Sequence, residues 1–349
     1  MINGIAHNIK YNHLRKEIKT MYFNRKLFTA VAILAICALG APAVMAQPVP
    51  GGTLDPLTIP KYVTPLVIPP VMKNSGTDDD YDIAVRQFKQ QILPGGVWNK
   101  INGRNDKFES TTVWSYGPAD DDPPTVAPVP AATSQFNYPA FTIEATNGPD
   151  TMIGTPVTVD WINDLVNKNG KFLKHLLPVD RSLHWANPEQ LPCMDGSKTK
   201  DCRVDPAQLA DPTILQQPYL GPVPIITHVH GAHVGPESDG YPEAWFLPDA
   251  SNIPAGYATT GTLVNQYGTT TNPASRPGVA EFSYPNDQPS TTLWYHDHTL
   301  GMTRLNVYAG PAGFWLIRQN DGGEDGLVSG ILPGPAPVAG EDPNFDIPA

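Results

Sequence analysis

The chain has 349 residues, room for two domains or one elaborated one. Its 40% hydrophobic and 16% charged content excludes wholesale disorder, and 39 prolines, about twice ordinary usage, exclude a helical bundle because each removes a backbone donor. The formal net charge is −11, and over residues 47–349 it is −16 (17 positive, 33 negative groups), a field that repels phosphate backbones and anionic membrane surfaces and excludes nucleic-acid binding.

In chain order, residues 1–46 read as an N-terminal extension and secretion signal. Asn24, Arg25 and Lys26 form a basic region, Leu27 to Leu39 is an apolar run, and Val44 and Ala46 stand at −3 and −1 of a cut before Gln47. The run is too short to be a membrane span, which needs about 20 residues. The mature chain is therefore expected to be exported, to a periplasmic or extracellular location. Residues 47–80 form a Pro-rich lead-in that ends in the acidic Asp78, Asp79 and Asp80.

From Tyr81 the pattern changes to apolar–polar alternation, with Ile83, Val85 and, after a slip, Phe88 toward a core. Further strands are predicted at Thr111–Tyr116, Phe141–Ala145, Pro156–Ile162, Pro224–Val229, Val279–Tyr284, Thr292–Tyr295 and Gly313–Ile317. Turn signals such as Asn147-Gly148, Asn169-Gly170, Asn272-Pro273 and Pro285-Asn286 separate them. No stretch after the signal has a sustained helical period. Eight short strands with long loops (117–138, 163–222, 247–277) predict an all-β sandwich or barrel. Cys193 and Cys202 flank a loop-like octapeptide that can close as a disulfide in an oxidising compartment, or stay as two thiols; neither adjoins a histidine. Residues 321–349 read as a Pro/Gly-rich linker or truncated end.

Five of the nine histidines fall in two places: His228, His230 and His233, then His296 and His298. Residues two apart on a strand share a face, so each H-x-H presents two imidazoles side by side, about 7 Å apart by strand rise. That spacing suits adjacent metals or a pincer on one metal. A satisfied core pair explains a single H-x-H as well; two such pairs at strand ends point to an all-imidazole metal site. Imidazole suits zinc, copper, iron or nickel, and the spacing does not choose among them. His233, in a Gly/Pro loop, is expected to face solvent.

The segment from His228 through Ser238-Asp239-Gly240 to Phe246, and Thr292 through His296-Asp297-His298 to Gly313, resemble the first cupredoxin domain of a multicopper oxidase. The nearest branch is that of bacterial spore-coat laccases and bilirubin oxidases. Asn137–Glu144, Val157–Leu165 and Leu176–His184 extend the resemblance, which covers roughly residues 81–320. It implies an all-β, cupredoxin-like Greek-key β-sandwich or barrel with long loop insertions. It further implies that His228 binds the type 2 copper of a trinuclear cluster and that His230, His296 and His298 bind the type 3 pair. By the same resemblance Asp239 is an acid beside the cluster that assists protonation of reduced oxygen; a turn residue capping its own backbone is the alternative. Trp245 and Trp294 read as core or pocket packing. The complete enzyme would couple a small reducing substrate, phenol- or pigment-like, to four-electron reduction of O2 to water.

The family's type 1 copper needs a His-Cys-His segment, yet no histidine or cysteine follows His298. Half of the trinuclear ligands and the type 1 site are thus expected from missing C-terminal cupredoxin domains. Three explanations stand open: a fragment or frameshifted product of a full-length oxidase, a one-domain partner of a separate polypeptide, or an exported stand-alone copper-binding module without oxidase activity. A zinc hydrolase is a further option. Bilirubin, phenols, aminophenols and metal ions all remain open as reducing substrate.

Overall fold

The computed structural model describes residues 54–75, 79–127, 136–147, 155–196, 199–267 and 276–319. The signal segment, the C-terminal linker, Asp78 of the acidic stretch and the Asn272-Pro273 turn lie outside the described residues. The chain divides into two compact units, Met1–Ile59 and Pro60–Ala349, and every strand among the described residues belongs to the second.

Among the described residues ten strands run in chain order: β1 (Asp80–Gln90), β2 (Thr111–Pro118), β3 (Ala140–Thr146), β4 (Val157–Asn163), β5 (His184–Trp185), β6 (Cys202–Arg203), β7 (Thr227–His230), β8 (Val279–Tyr284), β9 (Thr291–Asp297) and β10 (Ala312–Arg318). The α-helices are short: α1 (Val97–Asn102), α2 (Val264–Tyr267) and α3 (Thr303–Ala309). Proline density accounts for that, since it interrupts any longer i to i−4 ladder. The eight strands predicted from alternation are the eight that build two four-stranded sheets, ordered β2-β1-β4-β8 and β3-β10-β9-β7. In each sheet strands distant in sequence lie side by side. The β1–β4 and β3–β10 pairs are parallel and the other pairs antiparallel. This is a cupredoxin-like β-sandwich.

The sheets share one core. On β4 the burial alternates strictly from Val157 to Asn163, and on β8 from Val279 to Tyr284, as a pleat with one face packed requires. Large aromatics bridge the layers: Tyr116 of β2 and Trp161 of β4 lie 5.1 and 5.5 Å from Tyr295 of β9, ring centre to ring centre. Burial of such rings removes about 150–250 Å² each from water and dominates core energetics. Trp161 Nε1 donates to Tyr284 Oη, and Tyr295 Oη donates to the Phe141 carbonyl, so the polar tips of these rings are satisfied.

The slip expected in β1 between Val85 and Phe88 does not occur: β1 keeps unbroken register with β2 from Ile83 to Gln90. Phe88 therefore points to the opposite face from Ile83 and Val85. It is buried there in a separate small cluster with Val113, Ala127 and Phe136, and its ring meets Phe136 edge-on. Strand β1 buries both faces, each against a different core.

The two short strands pair antiparallel, Trp185 opposite Cys202, and Cys202 is disulfide-bonded to Cys193 with Cα atoms 5.8 Å apart. Asp201 ties this hairpin to the body of the domain. Its buried carboxylate accepts from Trp245 Nε1 and from the Thr262 amide, both at 2.5 Å. Among the described residues no helix is long and apolar enough to cross a membrane.

Candidate metal centre

Strands β7 and β9 are antiparallel neighbours, with His228 opposite His296 and His230 opposite Trp294. The period of two then puts His228, His230, Trp294 and His296 on one face of the sheet, and His298 follows as the chain leaves β9. The result is a cluster of four imidazoles. The ring centres of His228 lie 5.5 Å from His230, 5.6 Å from His296 and 5.0 Å from His298. Those of His296 lie 5.5 Å from His230 and 5.8 Å from His298. The structure brings together all four histidines singled out in the sequence. His233 stands apart, with a largely exposed side chain 3.6 Å from Asp287.

Hydrogen bonds fix the rings. His228 Nδ1 lies 2.5 Å from the Asp239 carbonyl and His296 Nδ1 lies 2.8 Å from the Asp297 carbonyl. A carbonyl only accepts, so each Nδ1 carries the proton and each Nε2 presents a lone pair. This is the arrangement in which metal-binding histidines are held by their surroundings. His230 Nδ1 is 3.3 Å from His296 Nε2, close to the separation of about 3.3 Å between two nitrogens bound at about 2.0–2.1 Å to one tetrahedral ion. His298 Nδ1 is buried with no partner among the described residues.

The electrostatics favour the neutral rings that metals need. Burial pushes His296 down to about 4, and the neighbouring imidazoles push the same way against the Asp297 carbonyl. Burial lowers His298 as well, with His228 adding to it and Asp239 opposing.

Asp239 sits in the Ser-Asp-Gly turn, its carboxylate partly exposed and 3.3 Å from His228 Nδ1. Buried Ser238 anchors the turn, its Oγ accepting from the Ser283 amide of β8. Gly240, at φ +78°, packs so tightly on β7 that any side chain would run into the Thr227 carbonyl. Asp239 thus serves His228 through its backbone oxygen as well as offering a carboxylate beside the ring.

Three partners of the cluster, Gln288, Asp297 and Asn306, are given no role by the sequence reading. Gln288 grips the turn after His230, accepting from the His233 amide and donating to the Gly231 carbonyl. Asp297 and Asn306 are fully buried behind the cluster. The period of two, applied to His296-Asp297-His298, is the signal that could have found Asp297, since it directs that side chain away from the imidazoles into the interior. Trp294 packs on the cluster as expected: its ring lies over His296 at 4.0 Å and over His230 at 5.4 Å. Trp245 is buried in the core.

The donor set has a definite limit. Among the described residues no group of three or more His, Cys, Asp or Glu side chains is arranged to hold a metal ion by itself. The cluster offers a pair of nitrogens at ligand spacing, His230 Nδ1 and His296 Nε2, as a partial set of ligands would.

No family model matches the chain. A "Laccase" from Haloferax volcanii is 29% identical over 299 residues, covering 84% of this chain and 37% of the relative. A "Laccase" from Bacillus subtilis is 25% identical over 266 residues, covering 75% and 34% respectively. Among solved structures, a laccase from Pediococcus acidilactici aligns with 79% of this chain and 33% of its own at 16% identity, with a TM-score of 0.39. The chain spans about a third of the length of these curated relatives. Over the residues matched, this chain is similar to laccases of the multicopper oxidase family.

Proposed function

We propose that this chain supplies one half of a trinuclear copper site in an exported oxidase that couples oxidation of a small substrate to reduction of O2. His228 is the type 2 ligand, and His230, His296 and His298 are ligands of the type 3 pair. The carrying observation is the cluster on β7 and β9: four imidazoles within 5.0–5.8 Å where the structure pairs them, two with Nδ1 committed to backbone carbonyls. The 3.3 Å approach of His230 Nδ1 to His296 Nε2 supports reading those two nitrogens as ligands of one ion. Copper, when bound, supplies the one-electron steps that O2 reduction requires.

The polypeptide's own work is to hold neutral rings in place, to stack Trp294 over two of them, and to keep the Asp239 carboxylate beside His228, where it can hold or pass a proton. Residues 81–320 act as the cupredoxin domain, 1–46 as the export signal, 47–80 as lead-in and 321–349 as linker. As a partial ligand set, the cluster by itself holds copper weakly and does not support phenol oxidation.

Copper titration of the purified mature chain, followed by paramagnetic resonance and visible absorption, tests this. The expected result is copper bound without an intense blue band and without phenol oxidation, and lost in a His228→Ala/His296→Ala variant. Blue colour with phenol turnover refutes the half-site reading. Tight stoichiometric copper surviving dialysis favours a stand-alone binding module, and preference for zinc over copper favours hydrolytic chemistry.

A further inference from the structure

Behind the imidazoles lies a carboxylate that is not among the copper ligands. Asp297 stands between His296 and His298, fully buried, with its side chain on the face opposite theirs. Its two oxygens are surrounded by donors. Oδ1 accepts from the Ile226 amide at 3.1 Å and from Thr299 Oγ1 at 2.9 Å. Oδ2 accepts from the Thr299 amide at 3.1 Å and from Asn306 Nδ2 at 2.8 Å. A buried carboxylate without such partners is heavily penalised, so its environment is tightly specified.

The partners are informative. Ile226 lies just before β7 and two residues before His228. Its amide is held by Asp297, and its carbonyl accepts from the His298 amide at 2.7 Å. Ile226 is therefore gripped on both sides by the segment that carries His298. The regular β7–β9 ladder ends at the Thr227–Asp297 pair, so bonds beyond it must locate His298 against His228. The Asp297 side chain and the His298 amide do that beyond the ladder's end. Asn306, on α3, adds a bond to the Pro224 carbonyl at 3.1 Å and meets His175 Nε2 at 3.0 Å. The clamp is thus braced against the helix that follows the motif.

We propose that Asp297 is a positioning residue for the copper cluster. Its carboxylate locks the start of β7 to the end of β9 and thereby sets the spacing of His298 and His296 against His228. Asn306 is its brace. The inference rests on the copper-ligand reading above.

The test compares copper(II) affinity and the copper hyperfine pattern of the full mature chain with those of Asp297→Asn, Asn306→Ala and Asp201→Asn. Asp297→Asn keeps the shape but turns an amide NH2 toward groups that are themselves donors. Asp201→Asn disturbs a comparably buried carboxylate whose partners, Trp245 and Thr262, belong to none of the clamp. Loss of an outer partner of a metal ligand typically weakens metal binding by about 10–100-fold. That loss, with an altered hyperfine pattern, is expected for Asp297→Asn, with a smaller loss for Asn306→Ala. Asp201→Asn should lower the melting temperature and leave affinity and spectrum unchanged.

If Asp297→Asn does not fold, Asn306→Ala alone decides. Wild-type affinity in the folded clamp variants overturns the proposal while leaving the copper reading intact. So do losses that track melting temperature equally in all three variants. A wild-type chain that takes up no copper overturns the copper reading, and the clamp with it.

Discussion

His175 shows how one residue can carry a measurable pH dependence. Its ring is packed edge-on against Trp114 at 4.8 Å and bonded to Asn306 and to the Leu177 backbone. Burial lowers its proton affinity below the ordinary 6.5, against the hydrogen bonds to Asn306 and Leu177. Between that lowered value and 6.5 the unfolded chain binds a proton that the folded chain refuses, so stability rises with pH across the window. The stabilisation is present in full above about 6.5 and is lost as pH falls through the folded value. His296 and His298 shift in the same direction, so the metal-free protein should lose stability steeply on acidification from about pH 7 to 5. Each fully developed site contributes about 1.4 kcal/mol per pH unit. His175→Gln should make that slope shallower, read from urea midpoints at several pH values in the presence of a chelator. An unchanged slope would show that His175 titrates alike in folded and unfolded chains.

Among the elements, the β5–β6 hairpin and the loops around it carry cross-links in place of sheet. Cys193 and Cys202 enclose a short loop by a disulfide, and loop-closure entropy for a ring of roughly ten residues is worth about 2–3 kcal/mol. Asp201, next to Cys202, bonds to Trp245 and Thr262, and Lys200 Nζ donates to the Thr260 and Gly261 carbonyls. A Cys193→Ser/Cys202→Ser variant should therefore lose about 2–3 kcal/mol in denaturant unfolding yet keep the imidazole cluster, checked by unchanged copper uptake. These elements also mark what is legible in a sequence. Strict alternation exposes β4 and β8, because one packed face of a pleat imposes a period of two. Strand β1 is harder: both its faces are buried, so Phe88 mimics a register slip while it packs a second core. The two-residue strands β5 and β6 have no period to read at all. Asp297 is hidden for a different reason. A charged residue between two histidines reads as solvated, and only the convergence of the Ile226 amide, Thr299 and Asn306 explains its burial.

Over the whole molecule, the imidazoles come from segments separated by more than sixty residues, His228 and His230 on β7 and His296 and His298 at the end of β9. The H-x-H spacing is legible locally, but their meeting depends on β9 crossing back to lie beside β7, a long-range pairing. In the unfolded chain the four rings are not assembled, so a metal that needs them together binds the folded state in preference. Such binding must stabilise the fold by mass action, by about 2.7 kcal/mol at a free concentration about one hundred times the dissociation constant. For a domain of this size that corresponds to a rise of roughly 5–10 °C in melting temperature. The shift should appear on adding copper to the chelator-treated chain, reverse on re-chelation, and vanish in His228→Ala/His296→Ala, which keeps only His230 and His298 of the four imidazoles. It should be nearly intact in His233→Ala, because that ring points to solvent beside Asp287. Equal shifts in all three proteins would mean that copper is binding scattered surface groups of an acidic chain. A shift lost with His228 and His296 alone would tie the metal to the meeting of β7 and β9.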